Sequence, residues 1–127
     1  MNEALLYVAA GLTGLWGIAH LCATKGVVAG FGDISTDNRR VITMEWIVEG
    51  VALLSLAVLV VVVTGVDHTA GVTSGAATGA YEVAIGTLVV LAIVSLFTGF
   101  RVRFLPYRLC PLIFTLSAVL IALRAWL

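Results

Sequence analysis

At 127 residues, 61% hydrophobic and 11% charged, with a mean hydropathy of +1.15, the chain departs from soluble domains, where about a quarter of residues are charged. Its seven basic and seven acidic side chains cancel, which excludes the electrostatic footprint of a nucleic-acid-binding protein. The composition is that of one integral membrane domain spanning 1–127.

The first apolar run follows Met1, Asn2 and Glu3, with no positive n-region before it. It extends about twenty residues, too long for a signal-peptide core, and reads as a retained span. Neither a lipidation signature nor a second soluble domain is expected. Four segments have spanning length: Ala4 to Ala23, Val41 to Val66, Gly79 to Phe100, and Arg108 to Leu127. A membrane strand needs only about 9 to 11 residues with alternating faces, so these continuous runs predict helices. Backbone in lipid closes its hydrogen bonds within such helices. The expected fold is all-α: a four-transmembrane-helix bundle running up-down-up-down.

Span one carries Gly11, Gly14 and Gly17, small residues that allow close helix approach, and a polar stripe of Thr13, Gly17, His20 and Thr24. His20 is expected to face the bundle. The first loop, Thr24 to Arg40, is long; Val27, Val28 and Phe31 sit between glycines as a partial lid in the headgroup layer. Ser35, Thr36 and Asp37 are N-cap candidates for the second helix. The second loop, Asp67 to Thr78, is built mainly from Gly, Ala, Thr and Ser, with His68 as a solvated residue. Span three opens with Tyr81 and Glu82, the latter snorkelling, and closes with Phe97 and Phe100. Span four begins with Arg108, Cys110 and Pro111, the proline in its first turn, and ends in an interfacial pair, Arg124 and Trp126.

Lys25, Arg39 and Arg40 lie in the first loop and Arg101, Arg103 and Arg108 in or beside the third, whereas the other side holds only Arg124. By the positive-inside rule, both termini are outside and the basic loops cytoplasmic.

The stretch that demands explanation is the second span, where Glu45 and Glu49 interrupt an apolar run. A charge at a helix centre in hydrocarbon costs roughly 2.5 to 3.5 kcal/mol even on insertion scales, so these acids need partners. Counting about 1.5 Å per residue from the inner boundary puts His20 level with Glu45, and Trp16 level with Glu49, one turn deeper. A histidine facing a carboxylate across antiparallel helices can share a proton, act as general acid and base, or hook a ligand headgroup. The same pair also reads as a structural hydrogen bond between helices. Arg40 or Arg101 is the candidate to pair with Glu45 or with a ligand phosphate or carboxylate, against a topological role in binding anionic lipid. A metal would use His20, Glu45 and Glu49, but the Glu-x-x-His pair of di-iron bundles is missing, and no metal is assigned. Cys22 and Cys110 fall at the same end without C-x-x-C spacing, so neither a disulfide nor redox chemistry is favoured.

The layout resembles the small four-helix bacterial membrane proteins of the DoxX-like kind. The resemblance is architectural, covers the whole chain, and implies a four-helix fold in a prokaryotic inner membrane. Neither Gly30 to Arg40 nor Met44 to Gly50 supplies a family motif, so no family active site is carried over.

The expected site is a pocket open to the cytoplasmic leaflet, lined by Trp16, His20, Glu45, Trp46 and Glu49. It would bind a small amphipathic molecule such as a quinone, isoprenoid or lipid, with His20 and Glu49 positioned for proton transfer. Two other readings stand beside it. One is a non-catalytic subunit, homo-oligomeric through the glycine face or accessory to a complex; the other is a small proton-coupled transporter with Glu49 as carrier. The sequence identifies no cofactor.

Overall fold

The structure, a computed structural model, describes residues 2–71, 74–99 and 101–124. Among these residues it contains no strand and four helices: α1 (Glu3–Ala29), α2 (Thr36–Ala70), α3 (Gly75–Thr98) and α4 (Leu105–Leu123). Each is long and apolar enough to cross a bilayer. The 35 residues of α2 extend about 52 Å at a rise of about 1.5 Å each, well beyond a hydrocarbon core of about 30 Å.

Local chemistry sets the ends. The Ser35 hydroxyl accepts the Asn38 N–H at 3.2 Å, and Asp37 occupies the first turn of α2, where the helix dipole favours an acid. Gly71, at φ +69°, closes the same helix in the left-handed conformation that glycine adopts without steric cost. Ser74 caps α3 by accepting the Ala77 N–H at 3.0 Å.

Several boundaries differ from the expected spans, with α2 and α3 each beginning about a turn early, at Thr36 and Gly75. A lone Gly26 does not break α1, which continues to Ala29, so the long first loop shrinks to 30–35. Val27 and Val28 are consequently buried on α1 rather than forming a lid, and only Phe31 is exposed. Asp67 and His68 belong to the last turn of α2, and His68 Nδ1 meets Glu3 Oε1 at 3.0 Å instead of being merely solvated. In α4 the first-turn proline is Pro106, and Pro111 lies inside the helix. Phe100 and Trp126 fall outside the described residues.

The helices run antiparallel to their neighbours. The start of α1 meets the end of α2 through Glu3 and His68, and the end of α4 through the Asn2 N–H and Arg124 carbonyl at 3.2 Å. Late α2 meets early α3 where Thr64 Oγ1 and Tyr81 Oη lie 3.1 Å apart. The Arg124 guanidinium caps this cluster, 4.3 Å over the Tyr81 ring. The bundle is therefore up-down-up-down, with α1 packed most closely on α2, and α3 on α4.

Inside, Leu6, Leu53, Leu88, Phe114 and Ile121 are almost wholly buried, with alanines at 9, 10, 57, 77, 84, 92 and 118 at the helix contacts. Outside are Val58, Val61, Val62, Val89, Val90, Ile93 and Phe97. A chain with small residues at its contacts and large apolar ones outside is packed for a lipid solvent, where close approach rather than water exclusion holds helices together.

The closest approach joins α1 and α2. A Cβ placed on Gly17 would lie 2.9 Å from the Gly50 carbonyl oxygen, and one on Gly50 would lie 2.8 Å from Leu21 Cδ2. Gly14 is also covered by α2, with Ala57 Cβ 3.3 Å from such an atom, whereas Gly11 faces open space. Two of the three glycines proposed as an oligomer face are thus spent within the chain.

Candidate functional site

The Gly17–Gly50 contact brings the next turn of α1 and the preceding residue of α2 together. His20, 5% exposed, directs Nε2 to Glu49 Oε1 at 3.5 Å, an ion-pair distance rather than a hydrogen bond. His20 Nδ1 lies 3.1 Å from the Trp16 carbonyl. A carbonyl only accepts, so Nδ1 carries the hydrogen and neutral His20 presents a lone pair at Nε2. That lone pair faces a carboxylate oxygen unless one of the two groups holds a proton.

The imidazole is fixed from several sides. Trp46 stacks on it at 4.6 Å between centroids, and Trp16 meets its edge at 5.9 Å. Trp46 Nε1 donates to the His20 carbonyl at 2.6 Å, and the Thr24 hydroxyl donates to the same oxygen at 3.1 Å. Trp46→Phe retains a ring on His20 but removes the cross-helix hydrogen bond. It is expected to lower stability by about 1 kcal/mol, read from chemical or thermal unfolding in a bilayer mimetic.

Tyr107 of α4 completes the wall, edge-on to Trp46 at 5.4 Å, with Phe104 behind it at 5.8 Å. Around these rings lie three cavities. One of about 150 Å³ is lined by His20, Trp46, Glu49, Ser95, Thr98 and Tyr107, among others. A second, of about 110 Å³, lies against Trp16, His20, Trp46, Phe104, Tyr107 and Cys110. The third is a groove of about 560 Å³ between the end of α1 and the start of α4, lined by Gly26, Val27, Gly30, Phe31, Val102, Phe104 and Tyr107. Tyr107 borders all three. Trp16 Nε1 is buried without a hydrogen-bond partner among the described residues, beside the Cys110 sulfur, a weak acceptor.

The expected residues therefore divide. Trp16, His20, Trp46 and Glu49 converge. Glu45, expected opposite His20, is exposed and has no polar partner among the described residues; the acid one turn further along α2 takes that place. The level count took hydrocarbon boundaries as helix registers, whereas the Gly17–Gly50 contact sets the register of α1 against α2. Arg40 reaches neither acid: it lies 3.7 Å from Asp37 Oδ1, both side chains largely exposed. Arg101 is exposed with no polar partner among the described residues. With Glu45 turned away, His20, Glu45 and Glu49 do not form a ligand triad, and no group of three potential metal ligands occurs among the described residues. Cys22 is exposed and Cys110 buried, both as free thiols.

Tyr107, Phe104, Ser95 and Thr98 were not anticipated. A fourth span that begins at Arg108 puts Tyr107 in the preceding loop. Reading Pro106 as the first-turn proline would have moved Tyr107 into the helix, facing the bundle end that holds His20.

No family model, curated protein or solved structure matches the chain. What the site does must be read from its own geometry.

Proposed function

We propose that the chain is a multi-pass inner-membrane protein, with both termini outside, that binds a small amphipathic molecule of the quinone, isoprenoid or lipid class. The observation that carries this reading is the buried His20 facing Glu49 where aromatic rings separate two small cavities, with Tyr107 linking both to an apolar groove. Apolar walls with a few convergent polar groups are the usual makeup of a small-molecule site. The head group lies at His20 and Glu49, and the chain runs past Tyr107 and Phe104 into the groove. His20 and Glu49 are placed to pass a proton to or from the head group as general acid and base.

Thermal unfolding of the purified protein with a short-chain benzoquinone, farnesol and phosphatidylglycerol tests the reading. At least one is expected to raise the midpoint, and His20→Ala and Glu49→Gln are each expected to shrink that rise. No shift with any of the three would favour a non-catalytic subunit. pH-dependent flux in liposomes that Glu49→Gln stops would favour transport.

A further inference from the structure

The hydrogen-bond inventory of the cavity at Glu49 selects among ligands. The Ser95 hydroxyl donates its hydrogen to the Leu91 carbonyl at 2.6 Å, and the Thr98 hydroxyl donates to the Val94 carbonyl at 2.7 Å. Both oxygens therefore have only lone pairs left to offer. Pro111, lacking an N–H, gives no helical donor to the Tyr107 carbonyl, which sits 3.3 Å from the position of a Cβ on Gly99, another lining residue. Glu49 adds carboxylate oxygens. The other donors nearby are engaged: Trp46 Nε1 by the His20 carbonyl, His20 Nδ1 by the Trp16 carbonyl, and the Cys110 thiol by the Pro106 carbonyl at 3.5 Å. Among the described residues, what remains to donate is the Tyr107 hydroxyl and, from the adjoining cavity rather than this one, the Trp16 indole N–H. No lysine or arginine is among the described residues that line the cavity.

A chamber walled by acceptors, one of them a carboxylate, with the rings of Trp46 and Tyr107 beside it, disfavours phosphate and carboxylate heads. It favours a donor that carries positive charge, which gains from the carboxylate and from the aromatic faces together. We propose that the preferred ligand is an amphipathic amine, its protonated nitrogen donating to Glu49 and to the oxygens of Ser95 and Thr98, its chain leaving past Tyr107. This rests on the ligand-binding reading above and names the head-group class.

The test uses the full chain in nanodiscs of zwitterionic lipid at pH 7, with tryptophan fluorescence reporting binding of dodecylamine, 1-dodecanol and dodecanoate. Dodecylamine is expected to bind at least about tenfold more tightly than dodecanol, and dodecanoate most weakly. In Glu49→Gln the amine-to-alcohol ratio is expected to fall close to one. Dodecanol or dodecanoate binding as tightly as the amine, or an amine preference that survives Glu49→Gln, would overturn the proposal while leaving ligand binding intact. Absence of binding by all three, together with no thermal shift from the quinone, farnesol or phosphatidylglycerol, would remove both. The ranking in the unaltered protein decides the question even if the variant does not fold.

Discussion

Gly17→Val is expected to be among the most destabilising single substitutions in the chain, costing about 3 kcal/mol or more, at the upper end of overpacking penalties. The reason is what the new side chain meets. Its Cβ would stand 2.9 Å from the Gly50 carbonyl oxygen and 3.1 Å from Leu53 Cβ, and a backbone carbonyl inside a helix cannot turn aside as a flexible side-chain tip can. Relief requires α1 and α2 to separate over the turn that carries His20 and Glu49. The substitution should therefore remove ligand-induced stabilisation as well as basal stability. A glycine series separates this from helix propensity. Gly14→Ala, with its nearest neighbour at 3.3 Å, should cost less, and Gly11→Ala, facing open space, should be neutral or slightly stabilising through the better helix propensity of alanine. Equal effects at all three positions, measured by SDS-titrated unfolding in a bilayer mimetic, would contradict the close-contact argument.

Phe114→Ala tests the other half of the bundle and is expected to cost about 2 to 3 kcal/mol, below the 3 to 5 kcal/mol of a buried phenylalanine in a soluble core. Phe114 is fully buried within the cluster that includes Leu6, Leu53, Tyr81 and Leu88. Removing its ring leaves a void, and in soluble cores cavity energy accrues at about 24 cal/mol per Å³. The transfer part of the penalty is small here, because the alternative environment for an apolar side chain is lipid, not water. A loss of about 5 kcal/mol would show that expulsion of water, rather than packing, stabilises this interior. Because Phe114 lies two turns beyond Tyr107 towards the far end of α4, the relative affinities for head groups should change little.

The polar cluster at the opposite end of the bundle has a different character. Asp67, 5% exposed, accepts the Ser74 N–H through Oδ1 at 3.4 Å, while its Oδ2 is buried without a partner among the described residues. Glu49 and Asp67 lie eighteen residues apart on α2, five turns at about 3.6 residues each, so both acids fall on one face. Between them that face buries Leu53, Ala57 and Val60. These three apolar side chains separate the His20–Glu49 pair from the polar cluster of Thr64, Asp67 and Tyr81 at the opposite end.

The primary structure by itself determined that four helices would form and would sit in a bilayer, because apolar runs of spanning length leave the backbone no other way to satisfy its hydrogen bonds. It also marked Trp16, His20, Trp46 and Glu49, since aromatic, imidazole and carboxylate groups in such runs are costly without company. It did not determine which acid meets the histidine. That was decided by the tertiary contact of Gly17 with Gly50, two residues without side chains whose depth of approach fixes the helix register to within a turn, turning Glu49 inward and Glu45 outward. Nor did it bring Tyr107, Ser95 and Thr98 to the site, for their placement depends on how α3 and α4 close around that pair. Helix identity is a property of local pattern; register and neighbourhood arise only when backbones touch.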